Sequence, residues 1–136
     1  MTAGGAQTSS VTTNGNRPYV RAFIRARVSF AVSYVCEGGD RTVPPEAQAA
    51  EAIDLGGGGV RLATGEDLPL GTVLLLRFRM PDVERELAVR GRIVLSFYKA
   101  NEQRFFHGIA FTQIDPRDQA EIVRYVTERA AEAPAD

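Results

Sequence analysis

From Val73 to Met80 the chain alternates, with Leu74, Leu76, Phe78 and Met80 on one parity and Arg77 and Arg79 on the other. A period of two sends successive side chains to opposite faces of an extended strand, so this stretch has one face for a core and one for water. The same period recurs elsewhere. Val28, Phe30, Val32 and Tyr34 alternate with Ser29, Ala31 and Ser33, while Leu87, Val89, Gly91, Ile93 and Leu95 share one parity in a second long run. Gly91 predicts a bulge or bend in that run. Gln48–Leu55 is rich in alanine, which favours helix, but it is short and runs into glycines, which favours a strand. Val60–Ala63 and Phe105–Ile114 complete a set of about six strands. The stretches Glu37–Pro45, Gly65–Gly71, Pro81–Asp82 and Lys99–Glu102 carry the glycine, proline and polar clusters that break them.

Only the C-terminal segment has a helical period. Asp115-Pro116 has the form of an N-cap followed by proline at the first helical position, and Asp118 adds negative charge to the first turn. Ile122, Tyr125, Val126 and Arg129 then recur at spacings of three and four, an apolar stripe that needs a sheet to lie on. The expected fold is mostly β: a six-stranded antiparallel barrel with one C-terminal α-helix. A chain of 136 residues supports one such core. Residues 1–16 hold a single large aliphatic, Val11, and read as a disordered tail; 17–130 read as the domain and 131–136 as a frayed end.

Sixteen Lys and Arg against seventeen Asp and Glu give a net charge of −1, so the whole-molecule field does not favour a long polyanion and DNA binding is not expected. The charge is uneven, however. Arg17, Arg21, Arg25 and Arg27 occur with no acid among them, a cluster suited to a small anion. No apolar run reaches the length of a membrane span, and the first sixteen residues lack the pattern of a secretory signal. The expectation is a soluble, cytoplasmic protein without membrane insertion. Cys36, the only cysteine, allows no intramolecular disulfide and reads as a small half-buried apolar residue.

Twenty-nine residues past Arg25 comes Asp54-Leu55-Gly56-Gly57-Gly58-Gly59. No lysine closes the glycine run, which excludes a Walker loop, and Val60 begins strand-like alternation where a dinucleotide fold needs a helix. By themselves the glycines read as a hairpin turn using positive φ. His107 is the sole histidine and reads as a surface or half-buried structural residue; Glu84, Glu86 and Asp118 read as solvated surface pairs. With no HExxH or CxxC, no metal site and no catalytic residue are expected. What remains is recognition. Guanidinium forks match phosphate oxygens and the O6/N7 edge of guanine, and a carboxylate accepts from the N1 and N2 donors of the opposite edge.

Three stretches resemble the PilZ domain family, whose members bind the bacterial second messenger cyclic di-GMP. Arg21-Ala22-Phe23-Ile24-Arg25 with the strand after it is similar to the family's RxxxR, and Asp54 to Gly59 is similar to its [D/N]xSxxG. Gly108 to Phe111, through Asp115-Pro116 to Val126, resembles its closing strand and helix. The resemblance implies a non-enzymatic receptor in which Arg21 and Arg25 grip phosphates and guanine edges and Asp54 accepts from a guanine. Gly56 stands where the family usually has serine, and Gly59 keeps the turn close to the ligand. It also implies an arm that orders on binding, no cofactor besides the ligand, and an unidentified effector protein as partner. The missing hydroxyl at Gly56 removes about 0.5–1.5 kcal/mol of hydrogen bonding, and the added glycine is expected to loosen the loop. Apolar Val20 before the first arginine implies one ligand molecule per chain. The alternative is a degenerate adaptor that acts by protein contact alone.

Overall fold

The computed structural model describes residues 23–37 and 46–132. The tail expected over 1–16 lies outside the described residues, as does Arg21. Six strands precede one helix: β1 (Arg25–Cys36), β2 (Gln48–Gly56), β3 (Gly59–Thr64), β4 (Val73–Phe78), β5 (Leu87–Lys99), β6 (Arg104–Gln113) and α1 (Pro116–Glu132). All pair antiparallel in the order β1-β2-β3-β6-β5-β4, and β4 closes onto β1. The expected barrel is the fold observed.

Its interior is built from the predicted parities. Leu74, Leu76, Phe78 and Met80 are buried while Arg77 and Arg79 are exposed, and Val28, Val32, Tyr34, Leu87, Val89 and Ile93 join the same core. Each such side chain contributes roughly 1.5–3 kcal/mol on burial, so strands whose alternation slipped by one residue would forfeit the fold. Gly91 sits beside a register shift, as a bulge requires; a Cβ there would meet Ile109 Cγ2 at 2.5 Å. A second bulge lies at Val94, between the pairs Ile93↔Ile109 and Leu95↔Gly108. One inserted residue reverses the parity, so Leu95 is exposed rather than continuing the inward row, which corrects the sequence reading.

Helix α1 packs on β1 and β2. Asp115 caps it, its Oδ1 accepting from the Arg117 amide at 2.8 Å, and Ile122 and Val126 are fully buried beneath it. The helix runs to Glu132, slightly beyond the expected end. Asp118 is not the solvated surface acid the sequence suggested. Its side chain is 10% exposed and takes a 2.5 Å bond from Arg85 Nη1, a partner from the β4–β5 loop that no local pattern announces. Glu86 does form a surface pair, 3.8 Å from Arg77.

Candidate ligand-binding site

Arg25 opens β1 opposite Gly56, and Arg27 lies opposite Asp54. The Arg25 side chain runs diagonally across the ladder to Asp54, Nε to Oδ1 3.1 Å, with the two side chains 30% and 28% exposed. Gly56 leaves the lane open. A Cβ there would lie 3.1 Å from both Arg25 Cγ and the Ile24 carbonyl oxygen. The structure thus brings together Arg25, Asp54, Gly56 and Gly59, four of the five residues singled out from sequence, at one end of the β1-β2-β3 sheet.

The glycines form a two-residue hairpin, Gly57-Gly58, between the paired Gly56 and Gly59. The expected use of positive φ is corrected: among the described glycines only Gly71 has it, at 87°. Close approach is the reason instead. A Cβ on Gly59 would stand 2.3 Å from the Ile109 carbonyl oxygen, and one on Gly57 would stand 2.7 Å from both the Phe23 ring and Val123 Cγ2. The turn is also pinned, the Gly57 carbonyl accepting from Gln119 Nε2 and the Gly58 carbonyl from the Phe111 amide, both at 2.9 Å. An extra glycine therefore does not loosen it.

Arg61 is a further residue at this site that the sequence motifs do not name. It lies opposite Asp54 on β3 and opposite Gly108 on β6, and its Nε is buried with no hydrogen-bond partner among the described residues. A donor in that position costs about 1–3 kcal/mol until an acceptor reaches it. Counting outward from a two-residue turn at Gly57-Gly58 would have paired Asp54 with Arg61 from sequence alone. Asp54 is thus one carboxylate among Arg25, Arg27 and Arg61, over a surface kept low by Gly56 and Gly108. That arrangement can exchange carboxylate for phosphate at its guanidinium groups and keep the carboxylate for a base edge.

His107 is fully buried, which corrects the expectation of a surface or half-buried position. Its Nε2 donates to the Glu66 carbonyl at 3.2 Å, and its Nδ1 lies 2.8 Å from the Ser96 hydroxyl, which also reaches the Leu68 carbonyl at 3.2 Å. With both nitrogens occupied and no carboxylate on the ring, it is a satisfied core histidine. Burial first, then Glu66, pushes the Tyr34 phenol and the Cys36 thiol above their ordinary ranges, so neither ionises near neutral pH. Among the described residues there is no group of His, Cys, Asp and Glu that could hold a metal ion.

The PilZ domain profile matches residues 19–128. The chain belongs to the PilZ family. A search of the curated proteins returned no sequence match. Among solved structures, this PilZ chain is similar to the inhibitor of motility MotI/DgrA of Bacillus subtilis, with a TM-score of 0.70 and 17% identity over 83% of this chain and 52% of that one. MrkH of K. pneumonia, in complex with c-di-GMP, matches with a TM-score of 0.53 and 15% identity over 81% of this chain and 52% of its own. YcgR of Escherichia coli, also in complex with c-di-GMP, gives 0.53 and 11% over 81% and 46%. The chain spans about half the length of these proteins. At such identities the likeness establishes the barrel, and the family receives or relays c-di-GMP signals. No described helix is long and apolar enough to cross a membrane.

Proposed function

We propose that this PilZ chain is a non-enzymatic receptor for cyclic di-GMP that signals occupancy to an effector protein. Arg21 and Arg25 bind phosphate and the guanine O6/N7 edges, Asp54 accepts from a guanine, and Gly56 and Gly59 let the ligand approach the strands. The observation that carries this reading is the Arg25–Asp54 pair, 3.1 Å apart across a glycine-cleared ladder. Such a half-exposed pair is worth about 0–1 kcal/mol, whereas a hydrogen bond from a charged group contributes roughly 1.5–3 kcal/mol. The Arg25–Asp54 pair is therefore weak enough for a phosphate to take the place of Asp54 at the Arg25 guanidinium. That exchange also frees the carboxylate for the base.

Titration calorimetry tests the proposal. Saturable binding at micromolar ligand or tighter is expected, abolished in Arg25→Ala and weakened in Asp54→Ala. Arg61→Ala is expected to weaken it as well, since the buried Nε is a donor awaiting an acceptor. The second reading, an adaptor that binds no nucleotide, draws on Gly56 in the serine position and on an Arg25 already engaged by Asp54. Silence of the intact chain up to millimolar ligand would select it.

A further inference from the structure

Beyond Ile93, strand β5 loses one of its two neighbours. Its ladder with β4 ends at the pair Val73↔Arg92, and Ile93 still bonds to the Thr72 carbonyl and the Gly71 amide, at 2.9 and 2.8 Å. From Val94 to Lys99 it pairs, among the described residues, with β6 alone. Among the described residues the barrel is closed at one end of β5 and open-edged at the other. The bulge at Val94 marks the departure and turns Leu95 and Phe97 outward.

This edge is apolar on both faces. Val94, Leu95, Phe97 and Tyr98 are 57%, 42%, 40% and 51% exposed, four of five consecutive residues. A row of unpaired amides and carbonyls flanked by such side chains is a template for another strand, and natural edges usually carry charge or proline to prevent it. Here the charges stand only at the ends, on Arg92 and Lys99. The edge is also braced by its neighbour β6: Phe97 stacks on its register partner Phe106 with centroids 5.5 Å apart and planes 10° apart, and Tyr98 packs on Phe105 at 4.8 Å. Side chains held in advance lose little freedom on association.

We propose that this edge pairs antiparallel with the same edge of a second copy of the chain, about a twofold axis at Ser96. The order Val94-Leu95-Ser96-Phe97-Tyr98 is self-complementary in that register. Val94 meets Tyr98 and Leu95 meets Phe97 on each side of the axis, the aromatic and β-branched pairs that stabilise ladders. Arg92 meets Ala100 and Ile93 meets Lys99, so no like charges oppose. With the axis at Phe97 instead, Leu95 would face Lys99 and Val94 would face Ala100, which loses both apolar pairs on each side. The Ser96 hydroxyl is engaged within its own chain, by His107 and the Leu68 carbonyl. A twofold contact closes on itself, giving a dimer and not a filament. Five residues a side make a small interface, so the association is concentration-dependent.

Sedimentation equilibrium of the whole chain reads the outcome and does not depend on the ligand assignment. The average mass of the unaltered chain should rise from one to two chains across the micromolar to submillimolar range. L95E alone and F97K alone, both at exposed positions and checked for folding by thermal melting, should remain single chains, because each sets a charge against an apolar side chain. Mixed in equal amounts they should associate again. The two substitutions then face each other as an ion pair on one side of the axis, while the native Phe97 and Leu95 meet on the other. A native chain that stays monomeric overturns the proposal, as do dimers persisting in either variant alone or a mixture that remains monomeric.

Discussion

At the scale of single residues, the glycines of the β2–β3 hairpin separate two kinds of constraint. Gly59 faces rigid backbone: a Cβ would fall 2.3 Å from the Ile109 carbonyl oxygen, so Gly59→Ala must spread β3 from β6. Overpacking of that sort costs roughly 1–3 kcal/mol. Gly65, with nothing within 4 Å, is the control, and Gly65→Ala should shift stability by no more than about 0.5 kcal/mol. Urea midpoints of the two variants check the contrast. Gly56 faces both kinds of neighbour. Its Cβ position lies 3.1 Å from flexible Arg25 Cγ as well as from the Ile24 carbonyl, so Gly56→Ser is expected to dislodge Arg25 from Asp54. Losing an exposed pair lowers stability by less than about 1 kcal/mol, while the new hydroxyl offers the ligand a hydrogen bond worth about 0.5–1.5 kcal/mol. The variant should bind cyclic di-GMP more tightly, by up to about tenfold, in the same calorimetric titration. Weaker binding would mean that the open lane over Gly56 is itself required.

At the scale of elements, Arg85 and Asp118 join the β4–β5 loop to the first turn of α1, and the two sides of this bond are unequal. Arg85 is 44% exposed and Asp118 10%. Removing the acid leaves a guanidinium that water can solvate; removing the base leaves a nearly buried carboxylate with no Arg85 to answer it. Arg85→Ala should therefore cost more than Asp118→Ala, a difference readable from denaturant midpoints. The same pair shows where the sequence was opaque. Strands were legible because each keeps one wet face, as Arg77 and Arg79 do on β4, and α1 was legible from Asp115-Pro116 and its stripe. Asp118 matched a first-turn acid, and nothing local to it names Arg85, 33 residues away. The bulge at Val94 left no compositional mark, so the parity of Leu95 was misread. His107 was placed too near the surface because its partners, Ser96 and the Glu66 carbonyl, come from other strands and loops. Within the site, Arg25, Asp54, Gly56 and Gly59 could be found by motif. Arg61 needed the hairpin register.

At the scale of the whole molecule, carboxylates tie distant strands around the barrel. Glu51 on β2 accepts from Arg104 on β6 at 2.7 Å and from Ser29 on β1 at 2.8 Å. Glu37 after β1 takes two bonds from Arg90 on β5, both 2.9 Å, and Glu102 binds Lys99 and Arg104 across the β5–β6 turn. Hydrogen bonds from these cations are the foremost cause that holds all three glutamates below their ordinary value of 4.5. A depressed folded-state value means that the unfolded chain binds more protons as acid is added, so stability from these groups is complete only above the ordinary, unfolded value. It is then lost as pH falls from 4.5 through the lower folded values. The melting temperature should accordingly fall with acid in that window. Arg104 is shared by Glu51 and Glu102, so it sets much of the slope. Arg104→Gln should lower the melting temperature at neutral pH slightly, because the pairs are exposed, and flatten its decline in acid so that the two proteins converge at low pH. Melting curves of the two proteins across that window decide it: equal acid slopes would show that the clamps around Arg104 contribute nothing to the closed barrel.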